Sequence, residues 1–247
     1  MGVAIRLTDV VIQNDSLPVA QIPYGGITDG LVLASHLRRS LALSADISGN
    51  NTSVGLNGSP VFKPSNMACV NLSGLTTGAD TTGNKSRTMC VVAKVLPGFT
   101  GSAFLMSNYS GSHGCSLFVT AADGLRCQVI TNNNGVIAAP MPQNIPGLSV
   151  NINDWFFASL VVDVESGKAT LHIPGKGFKY SINLLYPLFE SNQKTLLIGR
   201  SSATTAFTGE SNIAYATYHN RALTETEIMI QHSAARSYCS AVGVTLA

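Results

Sequence analysis

Charge is what this sequence has least of. Only 11% of its 247 residues are Asp, Glu, Lys or Arg, against roughly 25% in an ordinary soluble domain. Lys and Arg number 15, Asp and Glu 13, so the net charge is +2. That is too weak for the basic field that draws nucleic acid, and too dispersed for a polybasic membrane contact. Neither nucleic acid nor membrane insertion is expected. The surface must be covered by Ser, Thr, Asn and Gly, and copies of such a chain repel one another weakly. A homo-oligomer fits that surface, and a neutral monomer is the alternative.

Other absences narrow the classes further. No run approaches the roughly 18 apolar residues of a membrane helix. Met1 to Gln13 carries Arg6 and Asp9 and lacks the basic-then-apolar order of a signal peptide. The cysteines are Cys69, Cys90, Cys115, Cys127 and Cys239, an odd number, widely spaced and without a CxxC. Buried thiols in a reducing cytoplasm are expected, not a disulfide framework. A chain of this kind that works outside cells would get there by lysis or within a particle. There is no Gly-x-Ser-x-Gly, no His-Glu-x-x-His and no phosphate loop. His36, His113, His172, His219 and His232 show no ligand spacing.

What is present is a β pattern. Val3 to Gln13 is β-capable and is followed by a linker, Ser16 to Gly30, with Pro18, Pro23 and Gly25-Gly26. Residues 1–30 therefore read as an arm and linker, and 31–247 as the main domain. The arm is either an edge strand of that domain or pairs with a neighbouring subunit. Leu31 to Leu43 is apolar around Arg38-Arg39. Ser53 to Leu56 is a short strand before Asn57-Gly58, a hairpin signal, and Met67 to Leu72 is another. Ser73 to Ser86, rich in Gly, Thr, Asp and Asn, reads as a surface loop. Thr88 to Leu96 is nearly continuous in apolar residues, as in a strand buried on both faces. Strands then recur at Ser102–Ser107, Cys115–Thr120, Leu125–Ile130, Trp155–Val164, Lys168–Ile173 and Thr195–Gly199. Many short strands with turns every eight to twelve residues indicate an all-β sandwich or jelly roll.

The closing stretch changes period. Ile213, Tyr215, Thr217 and His219 alternate with Ala214, Ala216 and Tyr218, a strand signal. Thr224 and Glu227 then form a capping box, with Leu223 and Ile228 in the staple positions. Ile230, Ala234 and Tyr238 continue at helical spacing. One short C-terminal helix is expected.

These residues resemble a known family. Asp46-Ile-Ser-Gly-Asn with Gly55-Leu-Asn-Gly-Ser-Pro60, Trp155 to Ala158, Leu197-Ile-Gly199, Phe207-x-Gly209 and Asn220-Arg-Ala-Leu-Thr224 are similar to the motifs of the laminin-G-like domains in the concanavalin A-like superfamily. The resemblance covers about Leu31 to Tyr238. It implies two antiparallel sheets packed face to face as a jelly-roll sandwich. The family's closing acid would fall at Ala214, a departure that removes one expected metal ligand.

Function has to be read from sites, because this fold serves lectins, adhesion modules, glycosidases and virion proteins alike. A glycosidase needs two carboxylates flanking one bond, roughly 5 to 9.5 Å apart. The nearest pair, Asp163 and Glu165, falls at a hairpin and reads as a solvated turn, so no catalytic residue is assigned. Asp46, Ser48 and Asn50 supply oxygens in a tight loop, with Glu210 as a substitute acid. That is calcium chemistry, but Asp and Asn at such spacing also make ordinary Asx turns that need no ion, and Ala214 in place of the second acid favours the turn. Glycan binding uses exposed aromatics and amides. Tyr109, flanked by Asn108 and His113, is the leading candidate, with Asn132 and Asn133 on a second turn. Tyr24 and Tyr186 are weaker candidates, and Trp155 belongs with the core. The expectation is a non-catalytic, self-associating adhesion subunit of a virion, assembled in a host cytoplasm beside other virion proteins: a phage tail, fibre or capsid-decoration protein contacting surface glycans. A free-standing lectin is the alternative, and a glycoside hydrolase a distant one.

Overall fold

The computed structural model describes residues 24–110, 113–133, 136–138, 145, 148, 150–188, 195–202 and 207–247. In chain order the strands are β1 (Leu31–His36), β2 (Val54–Asn57), β3 (Val61–Phe62), β4 (Met67–Val70), β5 (Gly74–Asp80) and β6 (Arg87–Val95). Next come β7 (Thr100–Ser107), β8 (Cys115–Thr120), β9 (Gly124–Val129), β10 (Thr131–Asn133) and β11 (Val136–Ala138). Then follow β12 (Phe156–Asp163), β13 (Lys168–Ile173), β14 (Phe178–Asn183), β15 (Thr195–Ile198), β16 (Phe207–Thr208) and β17 (Glu210–His219). The chain closes with helix α1 (Glu225–Ala241).

Two large antiparallel sheets carry all of these strands except β10 and β11, which pair with each other. The first runs β14-β13-β12-β6-β17-β4-β3, with β1 also pairing β17. The second runs β2-β5-β15-β7-β8-β9, with β16 on β7. The fold is the expected all-β jelly-roll sandwich. Among the described residues no helix is long and apolar enough to cross a membrane.

The continuous apolar run becomes β6, held between β12 and β17. Met89, Val91, Ala93 and Val95 face the second sheet. Cys90 and Val92 face the other way, into a smaller core under α1 with Phe157, Tyr215 and Tyr238. A strand covered on both sides has no polar face to alternate with, which explains the unbroken hydrophobicity.

Three expectations are corrected. The stretch from Ser73 to Ser86 is not wholly loop, for β5 occupies Gly74–Asp80 and pairs with both β2 and β15. Its Leu75 and Ala79 point into the core, an alternation hidden among residues of low strand propensity. Asn57-Gly58 does not close a hairpin, since β2 and β3 lie in different sheets. It turns the chain across the sandwich, with Gly58 at φ +79° beside Ser73. The alternation along β17 breaks at a bulge, because Ile213 pairs with Ala93 and Tyr215 with Val92, leaving Ala214 unmatched. Ile213 therefore joins Ala216 and Tyr218 in the inter-sheet core, while Ala214 and Tyr215 face the helix. Strand β14 has no counterpart in the sequence reading.

The helix begins as expected. Thr224 Oγ1 accepts from Glu227 N–H at 3.3 Å, and Glu227 Oε2 accepts from Thr224 N–H at 2.8 Å. Leu223 and Ile228 are buried in the smaller core. The helix is 17 residues long, and its buried face is Ile228, Gln231, Ala235, Tyr238 and Cys239. The expected stripe was Ile230, Ala234 and Tyr238, yet Ile230 is 45% exposed. The docked face is rotated by about one residue, since the staple at Ile228 sets the helix's angle of entry.

All five cysteines are free and buried. Burial pushes the Cys69, Cys90, Cys127 and Cys239 thiols up to about 12, so they stay protonated at neutral pH.

Burial also holds the His36, His172 and His219 imidazoles down to about 4, from an ordinary 6.5. The unfolded chain takes up protons that the folded chain refuses between those values. The stability these neutral rings contribute is complete above pH 6.5 and is lost as pH falls toward 4. Glu227 is held down to about 2 by hydrogen bonds from Arg221, so its contribution is lost only below about pH 4.5. The thermal midpoint should fall steadily from pH 7 to 4. A midpoint flat across that window would show that the three rings are not kept neutral by folding.

Candidate functional site

The loop joining β7 to β8 is built around Asn108. Its N–H donates to the Cys115 carbonyl at 3.0 Å, and its Oδ1 accepts from Cys115 N–H at 2.6 Å. Gly114 sits at φ +93° in this neck, where an added Cβ would lie 2.4 Å from the Asn108 carbonyl oxygen. Asn108, expected as a ligand contact, is instead buried inside the loop's base. What the neck presents is Tyr109, Ser110 and His113. The Ser107 hydroxyl accepts from Tyr109 N–H at 2.9 Å, and Ser110 Oγ bonds His113 Nε2. The Ser201 and Ser202 hydroxyls donate to the Tyr109 carbonyl at 2.8 and 2.9 Å. The residues following β15 therefore brace this loop.

Tyr109 is half-buried, and its ring stacks on Phe104 with centroids 6.2 Å apart. Phe104 stacks in turn on Phe118 at 5.2 Å. Neither Phe belongs to the inter-sheet core, whereas their strand neighbours Ala103, Leu105, Leu117 and Val119 do. The three rings therefore form a row on the outer face of the second sheet. Arg126 lies directly across from Phe118 in the register and pairs with Asp123 at 2.8 Å. Phe104 and Arg126 are buried, each 4% exposed, so the row offers a ligand its two half-buried outer rings, Tyr109 and Phe118, an apolar surface that suits the flat face of a hydroxyl-rich ligand. Sequence reasoning reached Tyr109 but missed Phe104, Phe118 and Arg126. The signal was present in the β8–β9 hairpin, where Phe118 and Arg126 sit out of phase with the core positions.

The second expected turn approaches the same end of the sheet. Ile130 N–H donates to the Gly114 carbonyl at 3.0 Å, and β10 follows at once. Asn132 is held there by its N–H on the Pro187 carbonyl at 3.0 Å, and Asn133 pairs with Val136. Asn134 and Gly135, which complete that turn, lie outside the described residues.

The calcium set is not brought together. Asp46, Ser48 and Asn50 share one loop, but Glu210 sits elsewhere on β17, paired with Lys63. Asp46 binds Ala34, whose partner on β17 is Thr217. Glu210 lies seven residues from Thr217, about 23 Å along a strand. Asp46 Oδ1 accepts from the Ala34 and Ser48 N–H groups at 3.0 and 2.9 Å. Its Oδ2 accepts from Ser48 Oγ at 2.7 Å and Thr52 N–H at 2.9 Å. Asn50 Nδ2 donates to the Leu31 carbonyl, and Thr52 Oγ1 to that of Val32. The loop thus saturates the open edge of β1 with side-chain partners, a role that leaves the carboxylate no lone pair for an ion. Among the described residues no three His, Cys, Asp or Glu side chains are grouped to hold a metal.

The other candidates have structural tasks. Asp163 Oδ1 accepts from the Glu165 and Ser166 N–H groups, so this pair shapes the β12–β13 turn. The Tyr24 hydroxyl donates to Gln231 Oε1 at 2.8 Å and lies 2.9 Å from the Ile27 carbonyl oxygen. Tyr186 lines a shallow hollow with Asn84 and Leu188. Trp155 packs partly on the smaller core, with Lys94 Nζ 5.0 Å from its ring.

The architecture is a two-sheet antiparallel sandwich, and solved structures share the fold. The botulinum neurotoxin serotype D binding domain is similar over 85% of this chain and 52% of that one, with TM-score 0.62 and 15% identity. The receptor-binding domain of the C/D mosaic serotype is similar over 85% and 53%, at TM-score 0.62 and 15% identity. The serotype D ligand-binding domain, solved in complex with N-acetylneuraminic acid, is similar over 84% and 52%, at TM-score 0.61 and 15% identity. The chain thus spans about half the length of these structures. No protein-family model matches the chain, and no curated protein matches it.

Proposed function

We propose that this chain is a non-catalytic adhesion subunit whose sandwich binds surface glycans through the Tyr109–Phe104–Phe118 row. The observation that carries the reading is Tyr109 itself. Its half-open ring is stacked on Phe104, and its backbone is pinned by Ser201 and Ser202. A ring already ordered loses little entropy when a sugar face settles on it. Support comes from the fold shared with receptor-binding domains, one of them solved with a sialic acid. The carboxylates first weighed for catalysis shape a turn, which favours binding over hydrolysis. The low charge suits a subunit packed against copies of itself and against other virion proteins, as in a phage tail, fibre or capsid-decoration protein.

The test is binding of the purified chain to a panel of bacterial surface polysaccharides, with its solution mass recorded alongside. Tyr109→Ala should weaken binding about tenfold, the value of one aromatic contact near 1.4 kcal/mol. Its thermal midpoint should fall by only about 2 to 4 °C, the loss of a single aromatic stack worth roughly 1 kcal/mol. Equal binding by the variant would remove the row from the site, and silence across the panel would sink the glycan reading. Binding by a stable monomer would select the free-standing lectin.

A further inference from the structure

The turn between β3 and β4 meets the start of β17 in a cluster separate from the aromatic row and from the loop that caps β1. Lys63 N–H donates to the Asn66 carbonyl at 2.7 Å, and Arg39 N–H donates to that of Lys63 at 2.8 Å, so the turn is held on both sides. Strand β4 lies between β3 and β17, and its Ala68 is across from Asn212. Glu210 and Asn212 are two apart on β17 and share one face. Four side chains meet there. Lys63 Nζ is 2.5 Å from Glu210 Oε1 and 3.4 Å from Asn212 Oδ1. The same Glu210 oxygen accepts from Asn212 Nδ2 at 2.9 Å. Asn66 Nδ2 donates to Asn212 Oδ1 at 2.5 Å. Both amides are buried, Asn212 to 2% and Asn66 to 6% exposure. Lys94, across from Asn212 on β6, turns its amine to Trp155, so Lys63 is the amine that reaches the carboxamide.

We propose that Lys63 and Asn212 join in an intramolecular amide bond, with Glu210 carrying the protons and Asn66 holding the oxyanion. A salt bridge needs only Lys63 and Glu210. The two amides supply what an acyl transfer needs besides: a carbonyl carbon beside the amine and a donor on its oxygen. Burial raises the Glu210 carboxyl, but hydrogen bonds from Lys63 and Asn212 outweigh it and hold the group below its usual range, so it stands as a carboxylate ready to accept. Glu210 takes one proton from the Lys63 ammonium. A turn about the end of the lysine stem then brings Nζ to an attack distance of about 3 to 3.5 Å from the Asn212 amide carbon. The new C–N bond forms as the carbonyl electron pair moves to Oδ1, where the Asn66 N–H stabilises it. Glu210 passes its proton to Nδ2 and takes the second from Nζ. The C–Nδ2 bond breaks as the carbonyl reforms, and ammonia leaves with the remaining proton as ammonium. No oxidant or co-reactant is consumed. Such an exchange is slow between free molecules, and positioning of this kind is worth effective concentrations of about 10⁵ M or more. The product ties the edge hairpin to the central strand β17 across 149 residues of chain. This bond is independent of the glycan reading and stands or falls without it.

Mass spectrometry of the purified full-length chain tests it. The intact protein should be lighter than its sequence requires by one ammonia. A tryptic digest should yield the peptide bearing Lys63 joined to the peptide bearing Asn212. Lys63→Arg keeps the positive charge and cannot form the bond, so its mass should be that of its full sequence. Glu210→Gln leaves amine and carboxamide in place without the proton carrier, and should lower the joined fraction at least tenfold with an unchanged circular dichroism spectrum. A wild-type chain at full mass with no joined peptide overturns the proposal. So does an ammonia loss that persists in Lys63→Arg, which would belong to a succinimide at an Asn-Gly pair. Joined peptide formed equally in Glu210→Gln overturns the mechanism, because the carboxylate then carries no proton.

Discussion

Gln231→Leu is expected to destabilise the protein by about 3 to 5 kcal/mol, the cost of leaving several buried polar groups unpaired. The carboxamide is fully buried and uses every position it has. Nε2 donates to the Tyr215 hydroxyl at 2.6 Å and to Thr217 Oγ1 at 3.1 Å. Oε1 accepts from the Tyr24 hydroxyl at 2.8 Å and from Ile27 N–H at 3.1 Å. One side chain thereby joins three pieces: the helix, the central strand β17 and the segment entering the sandwich. Leucine keeps the bulk and removes all four bonds. The thermal midpoint should drop by about 10 °C, at roughly 2 to 4 °C per kcal/mol for a domain of this size. Limited proteolysis should cut near Tyr24 before the sandwich unfolds. A loss below about 1 kcal/mol would mean that water replaces the network freely.

Asp46→Ala should cost about 2 to 3 kcal/mol, because the carboxylate takes two donors on each oxygen. Without it the loop no longer covers the outer edge of β1, and an uncovered edge strand recruits other chains. Aggregation on heating should therefore rise along with the drop in midpoint. The same variant separates the two roles open to this loop. If Asp46 is an edge cap, calcium and chelator leave the wild-type midpoint alike. A midpoint raised by calcium in the wild type but not in Asp46→Ala would restore the metal reading.

Much of the architecture was legible because it rests on local rules. The unbroken apolar run from Thr88 to Leu96 indicated a strand covered on both faces, and β6 lies between two partners with a core on either side. Thr224 and Glu227 marked the helix start because a capping box closes within four residues. Where the reading failed, the deciding contacts were distant. Gly74–Asp80 looks like a loop by composition, yet two neighbours supply its hydrogen bonds. The bulge at Ala214 follows from pairing to β6, more than a hundred residues earlier. The site divides the same way. Tyr109 could be noticed as an aromatic among small polar residues, whereas Phe104 and Phe118 become its neighbours only when β7 pairs with β8.

The sequence by itself determined an all-β sandwich, one capped helix, buried free thiols and a sparsely charged surface. Period, capping and composition act within a few residues and need no partner to be read. The tertiary structure alone decided which face of the helix is buried and which side of the bulge each β17 residue occupies. It also decided that Asp46 guards a strand edge and that three aromatic rings line up in a row. Each of those outcomes depends on the register between strands far apart in the chain, where a shift of one residue sends a side chain to the opposite face.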